Sequence, residues 1–205
     1  MTSRRRLRLA GPPELTTECV LPALAGLVAN GLQLQVSLGR PAENLLRRLA
    51  AGEFDLVVST IRPNGEGLVA TRLPDEEFVL VSAPAWVDRV DPADPTDAPL
   101  IAVSSSMPVI RRYWMTVYNA EPPGPPAATV HDLRGAMNLV SEGAGITVLP
   151  RYLCRERISS GRLVDLVHPA TVPTNELFLA GRAETGGLEA VKTAHDLLVV
   201  SAETW

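Results

Sequence analysis

Apolar positions along the chain change period several times, and each change marks an element. Leu7–Ala10 (L-R-L-A) reads as a short strand broken by Gly11-Pro12-Pro13. Val20, Leu21, Leu24, Leu27 and Val28 then recur at helical spacing, with Thr16 or Thr17 placed to cap the start and Asn30-Gly31 to end it in a left-handed turn. Leu32–Leu38 (L-Q-L-Q-V-S-L) alternates strictly, the mark of a half-buried strand. Pro41 opens a second helix carrying Leu45, Leu46 and Leu49 on one face and ended by Gly52. Phe54–Thr60 (F-D-L-V-V-S-T) is a continuous apolar run, as in a strand covered on both faces. Strand, helix, strand, helix, strand over the first sixty residues predicts a parallel sheet wrapped by helices.

Two further strands are expected, G-L-V-A-T-R-L and E-F-V-L-V-S-A, before the texture changes. Pro84–Pro99 is rich in Pro, Asp and Ala, as in a crossing between lobes. A second unit follows: strand Leu100–Val103, the run Ser104-Ser105-Ser106, a helix over about Val109–Tyr118, a loop E-P-P-G-P-P, a strand at Ala128–Val130 and a helix over about Asp132–Ser141. Strand Ile146–Leu149, a short helix Arg151–Ile158, strand R-L-V-D-L-V, strand E-L-F-L-A-G and a final helix from about Leu188 to Val200 complete the chain. The expected division is a basic tail or linker remnant at 1–6, lobe I from 7–83 with 174–205, and lobe II from 84–173. Two α/β lobes joined by two crossings leave a ligand cleft at the carboxyl ends of their strands.

Composition narrows the chemistry. With 205 residues, 46% hydrophobic and 20% charged, the chain can bury a proper core. No apolar run is long enough to span a bilayer and M-T-S-R-R-R is followed by no apolar signal core, so a cytoplasmic protein with no membrane partner is expected. Arg4, Arg5, Arg6 and Arg8 crowd the start; the other 15 basic groups against 23 acidic ones leave −8, which repels a phosphate backbone. The arginine cluster reads as a solvated tail or linker remnant, with a DNA-contacting arm as the alternative. Cys19 and Cys154 are far apart in apolar segments and read as buried thiols rather than redox or metal residues.

Catalytic patterns are missing from the sequence. His131, His168 and His195 stand alone, there is no G-x-S-x-G elbow or phosphate loop, and Asp75-Glu76-Glu77 falls in an expected turn where solvation accounts for it. Val140–Pro150 (V-S-E-G-A-G-I-T-V-L-P) has the glycine spacing of a nucleotide loop in the wrong order: helix first, strand second, and Val148 where the third glycine belongs. Gly143 then reads as a left-handed helix cap and Gly145 as a tight entry into the strand. No catalytic residue, metal or cofactor is expected. Hydroxyls at helix starts remain: Thr16 and Thr17 in the first unit, and Ser104, Ser105 and Ser106 before Pro108 in the second. Each place offers free backbone N–H groups and a favourable dipole for an anion, or simply a helix cap. Arg62, after the Phe54 strand, adds a candidate cation.

The order and spacing of L-P-A-L (Leu21–Leu24), V-S-L-G (Val36–Gly39), L-A-A-G-E-F-D-L-V-V (Leu49–Val58), P-L-I (Pro99–Ile101), L-V-S-E-G-A-G-I-T-V-L-P (Leu139–Pro150) and I-S-S-G-R-L-V (Ile158–Val164) resemble the effector-binding domain of LysR-type transcriptional regulators, from about Leu7 to about Val200. The resemblance implies a two-lobed type II periplasmic-binding-protein-like fold, each lobe a mixed, mostly parallel sheet flanked by helices. It implies a sensor for a small-molecule effector, working as a homodimer or higher homo-oligomer, and the hydroxyls at the helix starts point to an anionic organic one. By position the effector-contacting residues are Thr16 and Thr17, Thr60, Ile61 and Arg62, Ser104, Ser105 and Ser106, and Val130 with His131. Pairing is implied through the first helix and second strand of one lobe I against lobe II of a partner. DNA is contacted only through an N-terminal winged helix-turn-helix, which this sequence does not contain: it is a fragment or a stand-alone form. G-P-P-E-L-T-T also departs from the pattern, stiffening the first binding loop and leaving Thr16 and Thr17 as contacts or as caps. Alternatives on the same scaffold are a cytoplasmic or exported solute-binding protein and an enzyme.

Overall fold

A computed structural model of the chain describes residues 6–39, 41–185 and 188–205. Arg4 and Arg5 of the basic cluster lie outside the described residues; Arg6 and Arg8 do not belong to a tail but to the first strand. Two compact units are formed, Met1–Glu76 with Asn175–Trp205, and Glu77–Thr174.

In the first unit, strand β1 (Arg6–Gly11) is parallel to both of its neighbours, β2 (Gln33–Leu38) and β3 (Leu56–Ser59), so that Leu9 lies opposite Val36 on one side and Leu56 on the other. Helix α1 begins at Pro13–Leu15, widens into a π-helical turn at Thr16–Val20, and continues as α-helix over Leu21–Ala29. Helix α2 (Ala42–Ala50) starts just after Pro41 and turns its Leu45, Leu46 and Leu49 onto Ala10 and Val57. This is the parallel crossover arrangement that the alternation of strand and helix demands. A last strand, β9 (Thr174–Arg182), runs antiparallel to β3 with Leu179 opposite Val58, and helix α6 (Glu189–Ala202) packs against α1.

The Arg8 guanidinium and backbone N–H both donate to Asp55, which precedes β3. Burial acts to raise the Asp55 carboxyl's pKa, but the Arg8 hydrogen bonds, with the Arg8 and Arg182 charges, outweigh it and hold the group below its ordinary value.

The two strands expected over 67–83 are one continuous strand, β4 (Leu68–Ser82). The acidic stretch in its middle is no solvated turn: Asp75 pairs with Arg72 at 2.8 Å, Glu76 is buried and accepts from Asn175 at 2.7 Å, and Glu77 meets Arg151 at 3.0 Å. With those carboxylates paired, the backbone can continue through Pro74. The boundary between units consequently falls inside β4, after Glu76, earlier than composition suggests, and Pro84–Pro99 belongs wholly to the second unit. That segment forms two single turns, Pro84–Trp86 and Pro95–Asp97, and buries Val90 and Ala98.

The second unit is built on the other half of β4. It lies between β7 (Ile146–Pro150) and β8 (Val164–Asp165), antiparallel to both, with Val81 opposite Thr147 and Asp165. Short parallel strands β5 (Ile101–Ala102) and β6 (Ala128–Thr129) extend it through a parallel bridge from Leu100 to Ile146. The run F-V-L-V is apolar throughout because both its faces are covered. Phe78 and Leu80 share a core with Ile110, Tyr113 and Trp114 of helix α3 (Pro108–Val117). Val79 and Val81 share another with Met137 and Val140 of α4 (Leu133–Ser141) and Leu153 of α5 (Arg151–Ser159).

Gly143 has φ 89° and closes α4: its N–H donates to Val140 O at 3.0 Å, while Ala144 N–H donates to Leu139 O at 3.1 Å. Those two bonds are a Schellman cap. Gly145 has φ 148° and brings the chain so close to Pro99 that a Cβ would stand 2.1 Å from its carbonyl oxygen. The glycine pair therefore ends a helix and docks β7 beside the start of β5. Among the described residues no helix is long and apolar enough to cross a membrane.

Candidate functional site

Because β1 and β3 are parallel neighbours, their carboxyl ends emerge together. The π-helical turn of α1 and the loop after β3 gather at this edge, where ligands of open α/β sheets bind. Thr16 and Thr17 do not cap α1: Pro12 and Pro13 start the helix upstream, since a proline at the first helical position loses no hydrogen bond and has its φ already set. Thr16 N–H instead donates to Pro12 O at 3.0 Å. Its side chain is fully buried, and Oγ1 has no hydrogen-bond partner among the described residues. Thr17 Oγ1 donates within its own turn, to Pro13 O at 2.9 Å with Glu14 O at 3.1 Å. Gly11 makes room for Thr16: a Cβ there would stand 2.6 Å from Thr16 Oγ1.

Ser59, which the sequence pattern did not single out, shapes the other loop. It is fully buried, its Oγ donates to Ile61 O at 2.7 Å, and Ile61 N–H donates back to that Oγ at 3.2 Å. The tight turn holds Thr60 half-buried and leaves Ile61 and Arg62 exposed, with the Arg62 guanidinium 5.5 Å from the centroid of Phe178. A serine two residues before its own bonding partner is a common side-chain turn, a local signal that a hydrophobic-run reading passes over.

In the second unit the same edge logic holds for β5 and β6. Ser104-Ser105-Ser106 follow β5, and Val130-His131 follow β6. The serines do not cap α3. Met107, at φ 48° and ψ 48°, occupies the capping position in a left-handed conformation, and its N–H closes the turn onto Ser104 O at 3.1 Å. Ser104 and Ser106 hydroxyls lie 3.2 Å apart, Arg111 Nε donates to Ser106 O at 2.9 Å, and Ser105 is exposed. Val130 N–H donates to Ala102 O at 2.8 Å, and His131 Nδ1 lies 3.0 Å from Val103 O. A carbonyl can only accept, so Nδ1 carries a proton and donates it to Val103 O. The two loops are thus tied side by side. Thr16, Thr17, Thr60, Ile61 and Arg62 form one group within the first unit; the serines, Val130 and His131 form another within the second.

Cys19 and Cys154 are both buried and in no disulfide. Burial, reinforced by the Asp165 carboxylate, pushes the Cys154 thiol up to about 12, which withholds the nucleophilic thiolate. Among the described residues no group of three or more His, Cys, Asp or Glu side chains is placed to hold a metal ion.

Comparison with known proteins agrees with this architecture. The family model described as the LysR substrate binding domain matches residues 2–201. The HTH-type transcriptional regulator AbaB of Streptomyces antibioticus is 44% identical over 216 residues, an alignment covering 100% of this chain and 71% of the relative. Among solved structures, the C-terminal domains of a LysR family protein from Agrobacterium tumefaciens superpose with a TM-score of 0.80 at 18% identity, covering 98% of this chain and 97% of that one. Full-length LysG of Corynebacterium glutamicum, a LysR-type regulator with bound effector arginine, reaches 0.73 at 15% identity, covering 97% of this chain and 67% of that one.

Proposed function

The chain belongs to the LysR substrate binding domain family, the effector-binding part of LysR-type transcriptional regulators, and from that premise we propose that it senses a small anionic organic molecule through the two hydroxyl-bearing groups just described. The observation that carries this reading is Thr16 Oγ1, buried at the carboxyl edge of parallel strands and without a hydrogen-bond partner among the described residues. A buried hydroxyl left unbonded costs about 1–3 kcal/mol, and a ligand oxygen accepting from it recovers that cost. Thr60, Ile61 and Arg62 supply backbone and a cation beside it. Ser104, Ser105, Ser106, Val130 and His131 supply hydroxyls and an imidazole from the second unit. Thr17, committed to its own turn, contributes mainly by holding Thr16 in place.

The sensor acts by binding rather than by turnover, in the cytoplasm, within a regulator whose DNA contacts lie in another domain. It works as a homodimer through α1 and β2, where Val28 and Leu38 expose apolar side chains. That LysG is a regulator with arginine as its bound effector supports a polar, charged small molecule as the class without naming one.

A thermal-shift series with a panel of small organic acids tests the reading. At least one acid is expected to raise the melting temperature. Thr16→Val, which keeps the shape but removes the hydroxyl, and Ser105→Ala should each weaken that acid, by roughly ten-fold for a lost hydrogen bond to a charged ligand. No shift with any acid overturns the proposal.

A further inference from the structure

A second cavity lies wholly within the first unit and is lined by none of the residues of the proposed effector site. It has a volume of about 340 Å³, at the lower end of small-molecule pockets, and opens between helix α6 and the sheet formed by β3, β4 and β9. Helix–sheet interfaces are normally packed to the density of an organic crystal, so a gap of this size within one is unusual. Gly181 opens its floor: in mid-strand it presents no side chain towards Leu56, whose Cδ2 lies 3.4 Å from where a Cβ would stand. The walls are apolar, from Leu56, Leu179, Val191 and the half-exposed Val69.

The charges at its margin are unevenly matched. Arg182 is consumed by Glu184 at 3.2 Å and by the carbonyls of Leu49 and Phe54. His195 is held on both sides, with Nδ1 3.1 Å from Asp196 and Nε2 2.9 Å from Thr71 Oγ1. Lys192 lines the same cavity and forms no ion pair among the described residues. It is also the chain's only lysine.

We propose that this cavity is a second small-molecule site, distinct from the effector site, that takes an amphipathic monocarboxylic acid: the apolar tail against Leu56, Leu179 and Val191, the carboxylate at the Lys192 ammonium. A neutral apolar ligand would leave that cation unmatched, and a dicarboxylate would bring a second charge against apolar walls, where desolvation penalises it. The ligand bridges α6 to the sheet and stabilises the unit by binding only its folded form.

Octanoate serves as the probe, with octanol as the uncharged control. Acylation of the wild-type chain by an amine-reactive ester, mapped by peptide mass, reads Lys192 alone, with the α-amino group as internal reference. Octanoate is expected to slow acylation of Lys192 but not of the α-amino group, and octanol to do so less. By calorimetry, Lys192→Gln should weaken octanoate about five-fold, Lys192→Arg should largely restore it, and Thr16→Val should leave it unchanged. Equal acylation with and without octanoate overturns the proposal. So does octanoate binding that Thr16→Val abolishes and Lys192→Gln spares, because the probe would then occupy the effector site.

Discussion

Arg8 grips Asp55 from three directions: Nη2 donates to Oδ1 at 2.7 Å, Nε to Oδ2 at 3.2 Å, and the Arg8 backbone N–H to Oδ2 at 2.8 Å. Asp55 N–H returns a bond to Arg8 O at 2.8 Å, which fixes the entry of β3 beside β1. The contact sits just before the register in which Leu9 faces Leu56 and Ala10 faces Val57.

Asp55→Asn should therefore destabilise the protein by roughly 1.5–3 kcal/mol near neutral pH, the range for hydrogen bonds to a charged group. The Asp55 pKa is lowered on folding, so its contribution is fully present above the unfolded value of about 4 and is lost as pH falls through the folded value. Denaturant melts of both proteins should differ at pH 7, begin to converge as the pH falls below about 4, and meet only below the lowered folded value. A difference that persists at low pH would show that packing, not charge, is involved.

Gly143 and Gly145 should respond differently to substitution. Gly143 has open space where a Cβ would go and only its positive φ to lose, so Gly143→Ala should cost about 1 kcal/mol, and the β-branched Gly143→Val more. A Cβ on Gly145 would collide with the Pro99 backbone, so Gly145→Ala should cost at least about 3 kcal/mol. Urea unfolding of the two alanine variants checks the order, and equal losses would contradict the docking role given to Gly145.

Gly11 and Thr16 should be energetically coupled. Gly11→Ala presses a methyl onto Thr16 Oγ1 and, less closely, onto Val58 Cβ, and should cost roughly 1–3 kcal/mol; removing the Thr16 oxygen relieves the closer of the two contacts. A double-mutant cycle with Thr16→Ala should give a coupling of about 1 kcal/mol or more, whereas additive losses would mean that the added methyl does not meet the Thr16 side chain.

Cys154 should resist thiol reagents at pH 8 in the native protein and react only after unfolding, because burial holds its thiol in the protonated form up to about 12. Ellman titration with and without denaturant measures this. Native reactivity at Cys154 would mean that the core around α5 opens readily.

Much of the architecture was legible in local patterns. The alternation of Gln33–Leu38, the one-sided leucines of Ala42–Ala50 and the unbroken apolar run of Leu56–Ser59 are periodicities that follow from how each element buries one or both faces. Gly143 was readable as a cap because its need for positive φ is a property of the chain itself. Loop residues were less legible. Thr16, Ser104 and Ser106 looked like helix caps because hydroxyls before a helical run usually are, yet Pro13 and Met107 start their helices instead.

By itself the sequence determined the kinds of element, their order, the parallel start of the first unit and the family to which the chain belongs, because each rests on short-range stereochemistry or on linear spacing. Only the tertiary structure decided that the acidic stretch Asp75–Glu77 continues a strand, since its partners Asn175 and Arg151 lie about 74–99 positions away along the chain. It alone decided that Thr16 Oγ1 is buried beside Gly11 without a hydrogen-bond partner among the described residues, and that Lys192 borders a cavity floored by Gly181. Burial and long-range pairing are properties of space, and linear periodicity carries no record of which distant residue fills it.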